Sequence, residues 1–153
     1  MAETEDHDKR LGRIIRYGLL FLWVGVIFYL SSDAGSTTQT SRFIRPLLEF
    51  LFPGASTDTL TYIHGLIRKG AHLSVYGVLG LLGAHAFCGS AVRMLRKYWY
   101  LTALWLALII ATADELNQSL LSSRTGTPSD VALDLAGAAS AVVVYALVFR
   151  RGS

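Results

Sequence analysis

Thr112-Ala113-Asp114-Glu115-Leu116-Asn117-Gln118-Ser119 decides the fold, because it closes a run of sixteen residues, Tyr98 to Ala113, that carries no charge. An uncharged apolar run that ends in two adjacent carboxylates and an amide one turn later describes a helix crossing a bilayer. Ionisable groups at the edge of a span are costly to bury, so they face a bundle interior or a wet cavity and serve a purpose there. Arg124, Asp130 and Asp134 follow just beyond, and the rest of the chain reads as a scaffold for this patch.

Composition agrees. Of 153 residues, 52% are hydrophobic and only 16% charged, and the mean hydropathy is +0.43. That is too apolar for an average small soluble domain. The apolar residues fall in four long blocks rather than a periodic stripe, and the length is that of about one domain. The net charge of +3 does not imply nucleic acid, because the basic residues sit at the ends of the apolar blocks, where they set topology and meet lipid headgroups. Cys88 stands alone, so neither a disulfide within the chain nor a cysteine metal site is available.

Outward from the central stretch, the sequence predicts an all-α polytopic membrane protein. It has four transmembrane helices, at about 14–31, 70–92, 98–118 and 128–149, in a single domain over 1–151, with 152–153 as an expression scar. In the first span Arg13 and Arg16 extend a short uncharged core, Tyr17 to Leu30, by snorkelling. A cleavable signal peptide is the rival reading, disfavoured by the acidic start and a poor cleavage site after Leu30. Phe43, Ile44, Leu47, Leu48 and Leu51 recur at helical spacing opposite Arg42, Arg45 and Glu49, and Pro53-Gly54 stops the run. This segment, 42–52, is too short to span and predicts an interfacial or re-entrant helix after the first span. Thr57 to Lys69 reads as a helix running straight into the second span. There Gly70, Ser74, Gly77, Gly80 and Gly83 place small residues where a neighbouring backbone can approach. Arg93, Arg96 and Lys97 form a basic turn. Thr127-Pro128-Ser129-Asp130 is a good start for the fourth helix.

Four spans put both termini in one compartment. Lys9, Arg10, Arg13, Arg16, Arg93, Arg96, Lys97, Arg150 and Arg151 fall on that side, and Arg42, Arg45, Arg68, Lys69 and Arg124 on the other, nine against five. The excess predicts cytoplasmic termini in a cell-membrane protein. The polar ends of all four helices then converge on the non-cytoplasmic side. Helical spacing sharpens the convergence: Lys69, His72 and Tyr76 share a face, as do Asp114 with Gln118 and Asp130 with Asp134. His72, Asp114, Gln118, Arg124 and Asp134 are expected to approach one another across helices and line one polar, anion-accepting cavity with Lys69 and Tyr76 at its rim, which spares each charge an insertion cost of roughly 2.5 to 3.5 kcal/mol.

The chain resembles the VanZ-like family of small integral membrane proteins. The residues that carry the resemblance are Phe28-Tyr29-Leu30-Ser31-Ser32, Lys69-Gly70-Ala71-His72 with Tyr76 and Leu79-Gly80, Asp114-Glu115-Leu116-Asn117-Gln118, Arg124, Ser129-Asp130-Val131, and Asp134 with Gly137. The family pattern usually has Asn in place of Asp134, so a role for Asp134 is not carried over. The resemblance implies a four-helix membrane domain and a link to teicoplanin (glycopeptide) resistance or to cell-envelope lipids. It supplies no established reaction.

His72, Asp114, Glu115 and Asp134 are the candidate catalytic residues. Neighbouring carboxylates in a poorly solvated site cannot both ionise cheaply, which suits a general acid and base, and His72 one turn inside the span suits proton transfer or attack on phosphorus. The bland alternatives are helix-end ion pairs with Arg68, Lys69 or Arg124 and a packing histidine tied to Tyr76. Asp114 and Glu115 point about 100° apart on a helix, so a shared role is not implied. Lys69, Tyr76, Gln118, Arg124 and Asp130 are the candidate binding residues: Arg124 and Lys69 for an anionic headgroup, Asp130 with the competing role of helix cap. His64 and His85 read as structural. His72 and the carboxylates supply metal donors, but no compact ligand motif occurs, so no metal is assigned and the cofactor is unknown.

Three functions fit these residues. The first is an enzyme acting on membrane lipids or a lipid-linked envelope precursor by phosphoryl or acyl transfer. The second is a non-catalytic module that binds lipid or shields the envelope from a lipophilic glycopeptide. The third, a small transporter, is weakened by the lack of visible inverted repeats.

Overall fold

The computed structural model describes residues 2–32, 37–120 and 127–149. Its helices are α1 (Ala2–Ser31), α2 (Thr37–Leu51), α3 (Thr57–Cys88), α4 (Arg93–Lys97), α5 (Trp99–Ser119) and α6 (Pro128–Phe149), and no strand occurs among the described residues. Helices α3, α5 and α6, and α1 from Glu5 onward, are long and apolar enough to cross a membrane. The protein is therefore an all-α, multi-pass membrane protein.

Local chemistry sets the helix ends. Ser56 caps α3, its Oγ accepting from the Thr59 amide at 3.2 Å, and Asp58 meets the positive end of the helix dipole in the first turn. Gly54 turns the chain between α2 and α3 at a φ of 98°, a conformation a Cβ would strain. Pro128 opens α6, where its missing N–H costs nothing. At 32 residues, α3 is about 48 Å long, well beyond a hydrocarbon layer of about 30 Å. Its polar end, Thr57 to Lys69, accounts for the excess.

Helix α3 is the centre of the bundle and packs on α1, α2, α5 and α6. In lipid there is no hydrophobic drive to bring helices together, so small residues that let backbones meet do the work. Gly77 and Gly80 of α3 lie against Gly137 and Ala138 of α6, and Gly83 lies against Ala103 of α5. Helix α1 is tied on by polar contacts: Trp23 Nε1 donates to the Val75 carbonyl at 3.0 Å, and Tyr17 Oη to Ser90 Oγ at 3.0 Å. Leu20, Ile27, Leu79, Trp99 and Val142 fill the interior, while Phe21, Leu22, Trp105, Ile109 and Leu147 point outward, as lipid contact requires.

The interfacial segment begins earlier than its hydrophobic pattern indicates, at Thr37 rather than near residue 42. Thr37 to Ser41 has modest helix propensity, and tertiary packing overrides it. Ser41 Oγ lies 3.4 Å from His64 Nδ1 of α3, and Leu48 is buried one helical face away from solvent. Phe43 and Phe50 are left 80% and 81% exposed, an apolar face that the described residues do not cover. The basic turn after the second span is the single-turn helix α4.

Candidate functional site

Three spans each bring a polar group to one place. From α3, His72 Nδ1 meets Asp134 Oδ1 of α6 at 3.1 Å. One turn deeper on α3, Tyr76 donates its hydroxyl to Asp114 Oδ2 of α5 at 3.0 Å. Glu115, next to Asp114, turns the other way and accepts the Thr127 backbone N–H at the head of α6, 2.8 Å from Oε2. Helix α1 contributes Ser31, whose Oγ reaches the Asp114 carbonyl at 3.5 Å and accepts from Asn117 Nδ2 at 3.3 Å. A carboxylate can only accept, so against an ionised Asp134 the imidazole carries its proton on Nδ1 and keeps a lone pair on Nε2.

One ligand-capable atom from each of His72, Asp114, Glu115 and Asp134 lies within 4.8 Å of the others. The carboxylates are deeply buried: Asp134 is 0%, Asp114 3% and Glu115 6% exposed. Each has one oxygen held by a donor and one, Asp114 Oδ1, Glu115 Oε1 and Asp134 Oδ2, with no hydrogen-bond partner among the described residues. Two unit negative charges 4.8 Å apart repel by about 3.5 kcal/mol at an effective dielectric of 20.

A cavity of about 160 Å³ opens beside the cluster. His72, Tyr76, Asp114 and Gln118 line it together with Ser31, Thr40 and Arg68, and Ile27, Leu30, Ile44, Ile67 and Val75 form an apolar wall. It is thus amphipathic, where the sequence alone suggested a polar space. Helix α2 closes part of it through Thr40 and Ile44.

Two rim positions differ from expectation. Tyr76 is 1% exposed, deep in the core, because the Asp114 carboxylate takes its hydroxyl. Lys69 is exposed and does not line the cavity; its neighbour Arg68 does, since a rotation of about 100° per residue separates their faces. Gln118 is buried against the cavity, whereas Asp130 is half-buried in the first turn of α6 and outside the four-residue cluster. Arg124 lies outside the described residues. His64 sits by Ser41, and His85 Nδ1 lies 3.3 Å from Tyr145 Oη, both away from the cluster. Sequence reasoning missed Arg68 as a cavity residue and Thr127 as the anchor of Glu115. Arg68 was named only as an ion-pair partner for the carboxylates, and a backbone amide has no sequence signal.

Four membrane-length helices around a buried histidine–carboxylate cluster define a polytopic membrane protein with a candidate polar site between three of its spans. The chain matches the VanZ/LLP1 family model over residues 17–149, nearly its whole length, and belongs to that family. No curated protein and no solved structure matches it.

Proposed function

We propose that the protein is a membrane-embedded enzyme acting on a lipid or lipid-linked precursor of the cell envelope, by phosphoryl or acyl transfer at the non-cytoplasmic face of the cell membrane. The observation that carries this reading is the His72–Asp134 pair, 3.1 Å apart, beside a cavity that offers Arg68 and an apolar wall together. An anionic amphiphile needs both. A guanidinium pairs with phosphate or carboxylate oxygens, and Ile27, Leu30, Ile44 and Ile67 accept an acyl or isoprenoid chain. Asp134 orients the imidazole, as the acid of a hydrolytic triad does, so that Nε2 takes a proton from the attacking hydroxyl or water and returns it to the leaving-group oxygen as its bond to phosphorus or the acyl carbon breaks. Asp114, held by Tyr76, and Gln118 position the reacting headgroup. The test uses the purified chain in lipid nanodiscs against lipid phosphates and acyl lipids. His72→Ala and Asp114→Asn are expected to lower turnover on the order of 100- to 10,000-fold; unchanged turnover in both folded variants removes the assignment.

The exposed apolar face of α2, with Arg45 paired to Glu49 at 3.0 Å behind it, favours a second reading. Here the helix lies in the headgroup layer and the protein shields the envelope from a lipophilic glycopeptide without chemistry. Expression in a teicoplanin-sensitive host separates the two. Resistance that survives loss of Asp114, Glu115 and Asp134 favours shielding; resistance lost while the variants remain folded favours catalysis.

A further inference from the structure

Among the described residues, the hydrogen-bond donors of the buried cluster neutralise less negative charge than its three carboxylates can carry. Asp114, Glu115 and Asp134 are each more than nine-tenths buried, and their donors are a phenol, a backbone amide and one imidazole. None of these partners except a protonated His72 carries positive charge. The arrangement is also ordered: in every carboxylate one oxygen is pinned from outside the cluster or across it, and the other is buried without a partner. Tyr76, Thr127 and His72 thus fix the direction of the three carboxylates, while the free oxygens and the imidazole remain able to share a ligand. That is how outer hydrogen bonds orient the inner ligands of a metal ion.

We infer that His72, Asp114, Glu115 and Asp134 bind one divalent cation of the manganese or zinc type. Three carboxylates and one imidazole are a mixed oxygen and nitrogen donor set, suited to these ions rather than to calcium, which takes oxygen alone, or to copper(I), which takes sulfur. Four candidate ligand atoms lie within 4.8 Å of one another, so small side-chain shifts bring them to the spacing of a single ion's ligands. A single shared proton serves less well, because it bridges two oxygens and leaves the third buried and bare. His72 and Asp114 also line the cavity, so an ion held here faces the space in which an anionic headgroup would sit. The inference rests on the reading of this cluster as a reaction site but gives the His72 Nε2 lone pair to the ion, so that in the metal-bound protein His72 would be a ligand and not the base; binding is measured with no substrate present. The sequence offers these donors but no compact ligand motif, because they come from three helices and only Asp114 and Glu115 are adjacent.

The full chain in nanodiscs, stripped with EDTA and then exposed to MnCl2 or ZnCl2, is passed over a desalting column and its metal content measured. Manganese binding is followed in parallel by electron paramagnetic resonance, and thermal unfolding is recorded with and without each ion. About one ion per chain and a raised Tm are expected. Asp114→Asn and Glu115→Gln keep the side-chain shapes and should weaken binding at least tenfold, and Tyr76→Phe, which removes only an outer hydrogen bond, by about 10- to 100-fold. The amide variants remove like charges, so their metal-free Tm should equal or exceed that of the wild type. If the wild type retains no more ion than the Asp114→Asn, Glu115→Gln, Asp134→Asn triple variant and its Tm ignores both chelator and metal, the inference is overturned. The wild-type measurements decide this even if a variant fails to fold. Turnover by a wild-type chain that retains neither ion would overturn this inference alone, and metal binding without turnover would leave it standing while the proposed enzyme falls.

Discussion

His72→Ala is expected to destabilise the folded bundle by about 3 to 5 kcal/mol, the cost of removing one partner from a buried charged pair. Asp134 is 0% exposed and receives its one hydrogen bond from His72, so the substitution leaves both of its oxygens buried and bare. The reverse change behaves differently. Asp134→Asn keeps an oxygen for the imidazole and removes repulsion from Asp114 and Glu115, and should cost less than about 1 kcal/mol in metal-free protein. The asymmetry is read from SDS or thermal unfolding of the two single variants and the double variant, which together form a mutant cycle. Equal losses in the two single variants would mean that loss of His72 does not leave a charged, unpaired Asp134 in the interior, against what its burial implies.

Gly137→Ala is the second large effect. A Cβ at this position would stand 2.3 Å from the Leu73 carbonyl oxygen, and at Gly80 2.5 Å from that of Ala138. Both obstacles are backbone, so neither can rotate aside, and α3 and α6 must separate. Overpacking of this kind costs about 1 to 3 kcal/mol and more where the backbone has to move. The separation also pulls His72 from Asp134, since the pair lies on the same two helices. Gly70→Ala is the control, with nothing within 4 Å of its Cβ, and should stabilise α3 by about 0.4 to 1 kcal/mol. Thermal unfolding in detergent distinguishes them; identical behaviour of Gly137→Ala and Gly70→Ala would refute the close crossing.

The cluster was partly legible in the chain. His72 and Tyr76 are one turn apart, Asp114 and Gln118 likewise, and in the structure each pair faces the cavity. Glu115 was not legible in this way, because its Cα points about 100° from that of Asp114. Its longer side chain swings to the Thr127 amide, and a ligand atom of Glu115 still lies within 4.8 Å of the other three residues. The small residues of α3 were visible as a row, but the row does not say which of them touch. Gly77, Gly80 and Gly83 meet neighbours, whereas Gly70 meets nothing.

By itself the sequence determined the membrane class, the four apolar helices and the amphipathic helix after the first, because hydropathy and helical period are properties of one segment at a time. The choice of Arg68 over Lys69 at the cavity, the burial of Tyr76 and the meeting of three carboxylates with one histidine were decided only by tertiary structure. Each depends on how far a helix is rotated about its own axis. That rotation is set by the contact of Gly80 with Ala138 and of Gly137 with Leu73, so it resides in two distant segments together and in neither alone.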